Sequence, residues 1–466
     1  MPNSEYDKSS VESIYEHAHG LIGKNLNQTT SLPEEIVNAR NRGDLGRLVE
    51  KYFFYHNPPN DHEPDFREAG LELKTTGIVK YAKPNKNGEI FRAKERLVLN
   101  IIDYQTLPLE RFETSSFLHK CNLMLLLFYE YDRDTSVSFR NFVLDPLLIV
   151  IELNAFQQSQ ENIEFVRSHA VLVSDADLQI IKRDWEFIRR KVAENKAHEL
   201  SEGDTNYLGA CRKGSGGENE SLRKQFDSAA MAKARAFSLK QGFVTMLVQG
   251  QSKNYVSLGA GKNLSLEEVT ALKFQEFIGL TELEIARRLN FDSASKSRKA
   301  LLIKLILSAK QDEKIEEFEK AEIQLKTVSI SKSGRNRESM SFPAFKASEV
   351  LTQNWEDSDF SFQVEGRFLF VVFQEDQQGK DRLKKVMFWT MPFEGRKEAR
   401  RVWEDTKLRL QGNPRDLPRI SESSIAHVRP HARNGKDFDT TPQGIEFVKS
   451  SFWLNSSYIA KVIGEN

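Results

Sequence analysis

The chain has 466 residues, 39% hydrophobic and 29% charged, the balance of an ordinary globular protein and enough length for two to four domains at roughly 100–200 residues each. Its 67 basic and 67 acidic residues cancel, which argues against an overall basic coat for nucleic acid yet allows a local basic cleft, because phosphate contacts need only a handful of Lys and Arg. Two cysteines, Cys121 and Cys211, exclude a disulfide framework or a Cys-rich zinc site and suit a reducing cytoplasm; the first residues do not read as a signal peptide, and the longest apolar run, around Leu123–Phe128, is far short of a membrane span.

In chain order, residues 34–55 read as a helix, with Ile36, Val37, Leu45, Leu48, Val49 and Phe53 at helical spacing. The turn formers from His56 to Pro64 make a loop. Leu71 to Val79 opens with alternating apolar and polar residues, the mark of a half-buried strand. Residues 83–88 read as a turn and Leu97–Asp103 as a second strand. Leu123–Tyr131 is nearly all apolar, as a central strand is. Residues 176–198 have the periodicity of a charged surface helix. The run from Lys213 to Ser221 is either an interdomain linker or a long surface loop, and Gly250–Lys262 is the better boundary.

An internal likeness sets the domain organisation. Ala69–Thr75 resembles Ala321–Thr327, and Phe128–Asp132 resembles Phe373–Asp376. Trp185-Glu186 followed by Leu200–Glu202 resembles Trp403-Glu404 followed by Ile420–Glu422. Ala236–Lys240 resembles Ser451–Asn455. The order is the same throughout, which points to a duplicated domain rather than a short-period repeat. Residues 1–250 are expected to form one domain, 251–262 a linker and 263–466 the second domain.

The first copy carries the chemistry. Asp65 closes the Pro-rich loop, and Glu72 and Lys74, two apart on the strand, leave from one face. Two carboxylates and an amine suit magnesium, which takes one or two carboxylates together with water and phosphate oxygens. Lys74 would orient or help deprotonate the attacking water and offset charge on phosphorus. On a solvated strand the same residues would be surface charge, and Glu194-Asn195-Lys196 repeats the tripeptide in a helix with no such setting. In the second copy Glu317 stands for Asp65, Gln324 for Glu72 and Lys326 for Lys74. Gln cannot replace a carboxylate's charge at a metal, so one copy is expected to cut and the other to bind.

This pattern, Asp-x6-Glu-x-Lys, resembles the PD-(D/E)xK nucleases. Within them the first copy is similar to MutH, the mismatch-repair nicking endonuclease, in Gly46–Glu50, Ala69–Thr75, Phe112–Ser115 with His119-Lys120, and Arg235–Lys240 with Phe243. The whole chain is similar to the Sau-type restriction endonucleases, in Lys94–Asn100, Glu113–Phe117, Ala197–Gly203, Glu338–Phe342 and His427–His431. The resemblance implies a mixed α/β chain of two tandem MutH-like restriction-endonuclease folds, the second a degenerate copy. It also implies magnesium dependence and recognition of GATC in double-stranded DNA.

By the same resemblance, Asp65, Glu72 and the Leu73 carbonyl would hold the metal. Lys74 would position water, Glu50 would be a further active-site carboxylate, and Lys120 would approach the scissile phosphate. The MutH reading loop carries Arg-Pro-Lys; here the second copy keeps Arg429-Pro430 with His431, and the first has Cys211-Arg212-Lys213. Arg212 or Lys213 is the candidate for a guanine edge, and Lys240 for a phosphate. The expected activity is a type II restriction endonuclease of a restriction-modification system, whose cognate methyltransferase acts on the same DNA site. Its second domain would be an allosteric DNA sensor, and chains would associate transiently on DNA; the alternative is a GATC nickase of mismatch repair.

Overall fold

The computed structural model describes residues 6–34, 44–56, 62–81, 90–213, 221–250, 254–261, 263–291, 298–310, 312–432, 434 and 437–464. Parts of several expected features lie outside them: residues 35–43 of the helix, 57–61 of the Pro-rich loop, the turn at 83–88, and 214–220 of the Gly-rich run. The architecture is mixed α/β. The earlier half carries α1 (Val11–Ala18), α2 (Asp44–Leu48), β1 (Leu71–Lys80), β2 (Phe91–Ala93), β3 (Leu97–Ile101), α3 (Ser116–Cys121), β4 (Leu123–Glu130), β5 (Leu147–Val150), β6 (Val171–Leu172) and α4 (Asp175–Ala193). There follow β7 (Leu208–Arg212), β8 (Leu222–Gln225), β9 (Ser228–Lys233), β10 (Arg235–Leu239) and α5 (Gln241–Gln249).

The main sheet runs β2-β1-β4-β5-β6, and a smaller one runs β3-β10-β7. β4 is buried along nearly its whole length, as its unbroken apolar sequence requires of a strand covered on both faces. It pairs in parallel with β1, from Leu71 opposite Leu123 to Ile78 opposite Glu130. The side-chain period of two then sorts the faces. Leu71 and Leu73 of β1, with Leu123, Leu125 and Leu127 of β4, join a core with Val11, Ile14 and Ala18 of α1. Met124, Leu126 and Phe128 face the opposite core, with Phe117, Leu118 and Cys121 of α3 and Trp185 of α4. Glu72 and Lys74, in register with Met124 and Leu126, therefore leave β1 on the α3 side.

The later half carries β11 (Tyr255–Val256), α6 (Leu266–Gln275), α7 (Glu282–Arg288), α8 (Arg298–Ile306), β12 (Lys314–Ile315), α9 (Glu316–Ala321), β13 (Gln324–Ile330), β14 (Met340–Ala344), α10 (Asp359–Glu365), β15 (Arg367–Glu375) and β16 (Asp381–Thr390). After these come α11 (Phe393–Gly412), β17 (Ala426–Pro430), β18 (Phe438–Thr440), β19 (Glu446–Val448), β20 (Ser450–Leu454) and α12 (Ser456–Gly464). Its pairings follow the scheme of the earlier half. β13 runs parallel to β15, with Gln324 opposite Phe368 and Lys326 opposite Phe370, and the second small sheet has the order β14-β20-β17. One apolar core runs from Ile78 and Trp185 through the helices between residues 266 and 321 to Leu369, Val371 and Leu383. The halves are packed together through this core; within the later half Tyr255–Val256 pairs with Lys314–Ile315, and Leu258 and Ala260 are buried.

Candidate active site

The site lies at the start of β1. Ahead of it, Phe66 and Leu71 exchange backbone hydrogen bonds (Phe66 N to Leu71 O 2.9 Å, Leu71 N to Phe66 O 3.1 Å), and Gly70 takes a φ of 62°, which glycine adopts without strain. This tight return folds Asp65 back over the strand. Its Oδ2 accepts the Leu73 N–H at 2.9 Å, and its own N–H donates to Glu72 Oε2 at 3.1 Å. Glu72 is 1% exposed, and its Oε1 accepts a hydrogen bond from Lys74 Nζ at 2.5 Å. From α3, capped by Ser115, Lys120 reaches in: its Nζ lies 3.8 Å from Glu72 Oε2 and donates to the Glu63 carbonyl at 2.8 Å.

Glu50 arrives from the other side. Past α2 the helix widens into a turn over Val49–Phe53, with Phe54 N donating to Val49 O. Burial pushes the Glu50 carboxyl up to about 7, reinforced by the negative charge of Asp65 and opposed by Lys74. Burial and Asp65 likewise hold Glu72 above the ordinary carboxylate range, against Lys74 and Lys120. Burial works to lower Lys74, but Glu72, with Cys121 and Asp65, together outweigh it and keep the ammonium charged. Glu50 and Glu72 are thus acids in a partly buried site whose lysines do not fully offset burial and the charge of Asp65.

A divalent cation would relieve that repulsion, so the donor set fits magnesium. Among the described residues no three His, Cys, Asp or Glu side chains form a ready cage for a metal ion, and magnesium does not need one, because it completes its shell with water and substrate phosphate. Asp65 and Glu72 are the acids that would hold it, with Glu50 beside them.

The residues at the corresponding place in β13 cannot do the same. Gln324 carries no charge, and Lys326 sits below its ordinary range because burial disfavours its ammonium. The approach to β13 resembles that to β1: Ile323 N donates to Phe318 O at 2.9 Å, and Glu322 has the positive φ that Gly70 has. Yet Glu317, the counterpart of Asp65, turns away. Its carboxylate accepts Ser257 Oγ–H at 2.7 Å and the N–H groups of Leu258 and Gly259 at 2.9 and 3.0 Å.

The candidate DNA-contacting residues separate. Lys213 and Arg429 are exposed, as are Pro430 and His431. Arg429 lies over the Trp453 ring at 3.7 Å, and His431 Nδ1 is 3.0 Å from Ser451 Oγ. Arg212 is occupied by the later half: its Nη2 sits 3.0 Å from Glu365 Oε1 and donates to Ser361 Oγ at 3.0 Å. Lys240, expected at a phosphate, is placed otherwise. It is 5% exposed, and its Nζ donates to the Thr205 carbonyl at 2.6 Å and the Ala321 carbonyl at 3.2 Å. Asn455 follows β20 as Lys240 follows β10, and Asn455 Nδ2 donates to the Ser423 carbonyl at 2.7 Å. The registers Leu208–Leu239 and Ala426–Leu454 make Thr205 and Ser423 counterparts. The position is a buried brace in both halves, which is why it does not face solvent.

Comparison with known proteins gives the family. Residues 54–164 match the family model of the DNA mismatch repair enzyme MutH. The type II restriction enzyme Sau3AI of Staphylococcus aureus is 33% identical over 97% of this chain and 98% of its own length. The DNA mismatch repair protein MutH of Shewanella woodyi is 26% identical over 42% of this chain and 72% of its own. The chain belongs to the MutH-like restriction endonuclease family. No helix among the described residues is long and apolar enough to cross a membrane.

Proposed function

We propose that the chain is a magnesium-dependent type II restriction endonuclease that hydrolyses double-stranded DNA at GATC. The observation that carries this reading is the convergence of Glu50, Asp65, Glu72, Lys74 and Lys120 at the head of β1. When bound, magnesium would stabilise charge on the phosphate and make water a better nucleophile. Asp65 and Glu72 would hold it, Lys74 would hold a water or offset phosphate charge, and Lys120 would approach the scissile group. Glu72→Gln reproduces the state of β13. Its cleavage of GATC plasmid should fall by more than about a hundredfold, beyond the usual cost of losing an outer partner; normal cleavage with magnesium would overturn the assignment.

Residues 1–250 are read as the cutting domain, 251–262 as the connection and 263–466 as a sister fold that binds DNA without cutting. Glu317 engaged in its loop, the neutral Gln324 and the exposed Arg429 over Trp453 support that division. One active centre per chain cuts one strand at a time, so two chains meet on DNA or one acts twice. A Lys74→Ala chain mixed with wild type should slow linearisation if pairing is needed. A cognate methyltransferase would modify the same GATC site in the host's DNA. The match of residues 54–164 to MutH keeps a mismatch-repair nickase as the competing reading. A supercoiled GATC plasmid separates the two, because a nickase stops at open circles.

A further inference from the structure

The turn that bears Glu50 ends with its carbonyls unpaired within the helix, as helix ends do. Here four successive carbonyls are taken by side chains from residues 6–30. Thr30 Oγ1 donates to Tyr52 O at 2.9 Å, His17 Nε2 to Phe53 O at 3.1 Å, Tyr6 OH to Phe54 O at 2.5 Å and Lys8 Nζ to Tyr55 O at 2.7 Å. The Tyr6 ring stacks on His17 at 4.2 Å, with 11° between planes, and meets Phe54 and Phe66 edge-on. None of these donors lies within residues 54–164, which match MutH.

The next residue carries the arrangement to the other acid. The His56 N–H donates to the Glu50 carbonyl at 2.9 Å. Its Nε2–H donates to the Asp65 carbonyl at 2.5 Å, and its ring stacks on Phe66 at 4.8 Å with 13° between planes. Tyr55, between the strap and His56, has a φ of 47°, a conformation that a bulky residue keeps only when its surroundings impose it.

We propose that His56 is a positioning residue that fixes the backbones of Glu50 and Asp65 relative to each other, and that residues 6–30 are the strap that holds His56 in place. The inference rests on reading Glu50, Asp65 and Glu72 as the metal-side acids. Separation of those backbones by even an ångström would cost cleavage heavily, while DNA binding, made elsewhere, would change little.

The test titrates the full chain with Mn2+ alone, counting bound metal by loss of the free-ion electron paramagnetic resonance signal, and measures cleavage of a GATC duplex with Mg2+. His56→Ala should weaken Mn2+ binding and lower kcat, each by about 10- to 100-fold, with KM for DNA changed less than about twofold. His56→Gln, whose Nε2 can reach the same carbonyl, should recover most of both. Should His56→Ala not fold, Tyr6→Phe carries the test: it keeps the ring, loses only the hydroxyl and should weaken Mn2+ binding in the same sense. Mn2+ binding and kcat at wild-type values in both variants would overturn the inference while leaving the active-site reading intact. Glu72→Gln that still binds Mn2+ as wild type does would instead overturn that reading, and the inference with it.

Discussion

Asp184 illustrates how single buried groups set the behaviour of this protein. Its carboxylate accepts the N–H groups of Asn206, Tyr207 and Leu208 at 2.8, 2.6 and 3.0 Å and so fixes the entry to β7. Burial nevertheless pushes it from 3.8 up to about 6, with the three N–H groups working against that rise. A carboxyl raised on folding keeps its proton in the folded state while the unfolded chain has given it up. Stability is therefore lost as pH rises from about 4 to about 6. Thermal melts across that window should show a falling midpoint, with a shallower slope in Asp184→Asn; identical slopes would show that Asp184 does not titrate there. Legibility varies at the same scale. Glu72 and Lys74 could be read because a spacing of two fixes a shared face. Glu50 and Lys120 could not, because a turn and α3 bring them in from far along the chain and neither carries a local signature. Lys240 was misread for a related reason: a basic residue after an apolar strand looks the same whether it meets a phosphate or a carbonyl. Its counterpart Asn455 was the available clue.

Elements were legible wherever periodicity was strong. The strand expected over 71–79 runs Leu71–Lys80, that over 123–131 runs Leu123–Glu130, and the helix over 176–198 runs Asp175–Ala193. What escaped was short or held by tertiary contacts: α1, the four-residue β5, and the hairpins β8–β9 and β18–β19, whose residues have no run long enough to count. The close approach of α5 to α9 belongs to this class. A Cβ on Gly242 would lie 1.9 Å from the Glu319 carbonyl oxygen and 3.0 Å from its carbon. Backbone cannot rotate away as a side chain can, so Gly242→Ala should push α5 off α9. The expected loss is about 1–3 kcal/mol, the usual penalty of overpacking, read as a lower denaturant midpoint with unchanged slope. Gly250→Ala is a poor control because of its positive φ; Gly46→Ala, inside α2 and with nothing within 4 Å, should not lower the midpoint, since Ala favours a helix over Gly.

At the scale of the molecule, the halves meet through a charged seam as well as the shared core. Glu356 lies 3.2 Å from Lys233 Nζ, 3.2 Å from Arg400 Nη1 and 3.9 Å from Arg212 Nη1, while Glu365 holds the other Arg212 nitrogen. Arg212, Glu356 and Glu365 side chains are 14%, 11% and 11% exposed, so these pairs are shielded from salt and removing one partner leaves the other stranded. An arginine so engaged cannot also face a guanine edge. DNA reading by Arg212 would then require that the later half let go, and we propose that a duplex bound at Arg429, Pro430 and His431 is the event that releases it. Coupling of this kind is commonly worth about 5- to 150-fold in affinity. In wild type, a second GATC duplex should stimulate cleavage of the first by a factor in that range. With Glu356 and Glu365 both changed to Gln, the hold on Arg212 weakens, basal cleavage of a one-site duplex should rise, and stimulation should shrink toward one. Arg429→Ala should lose stimulation by the opposite route, leaving basal cleavage low. A Gln double variant that keeps full stimulation would mean that the seam only packs the halves together and does not gate the site.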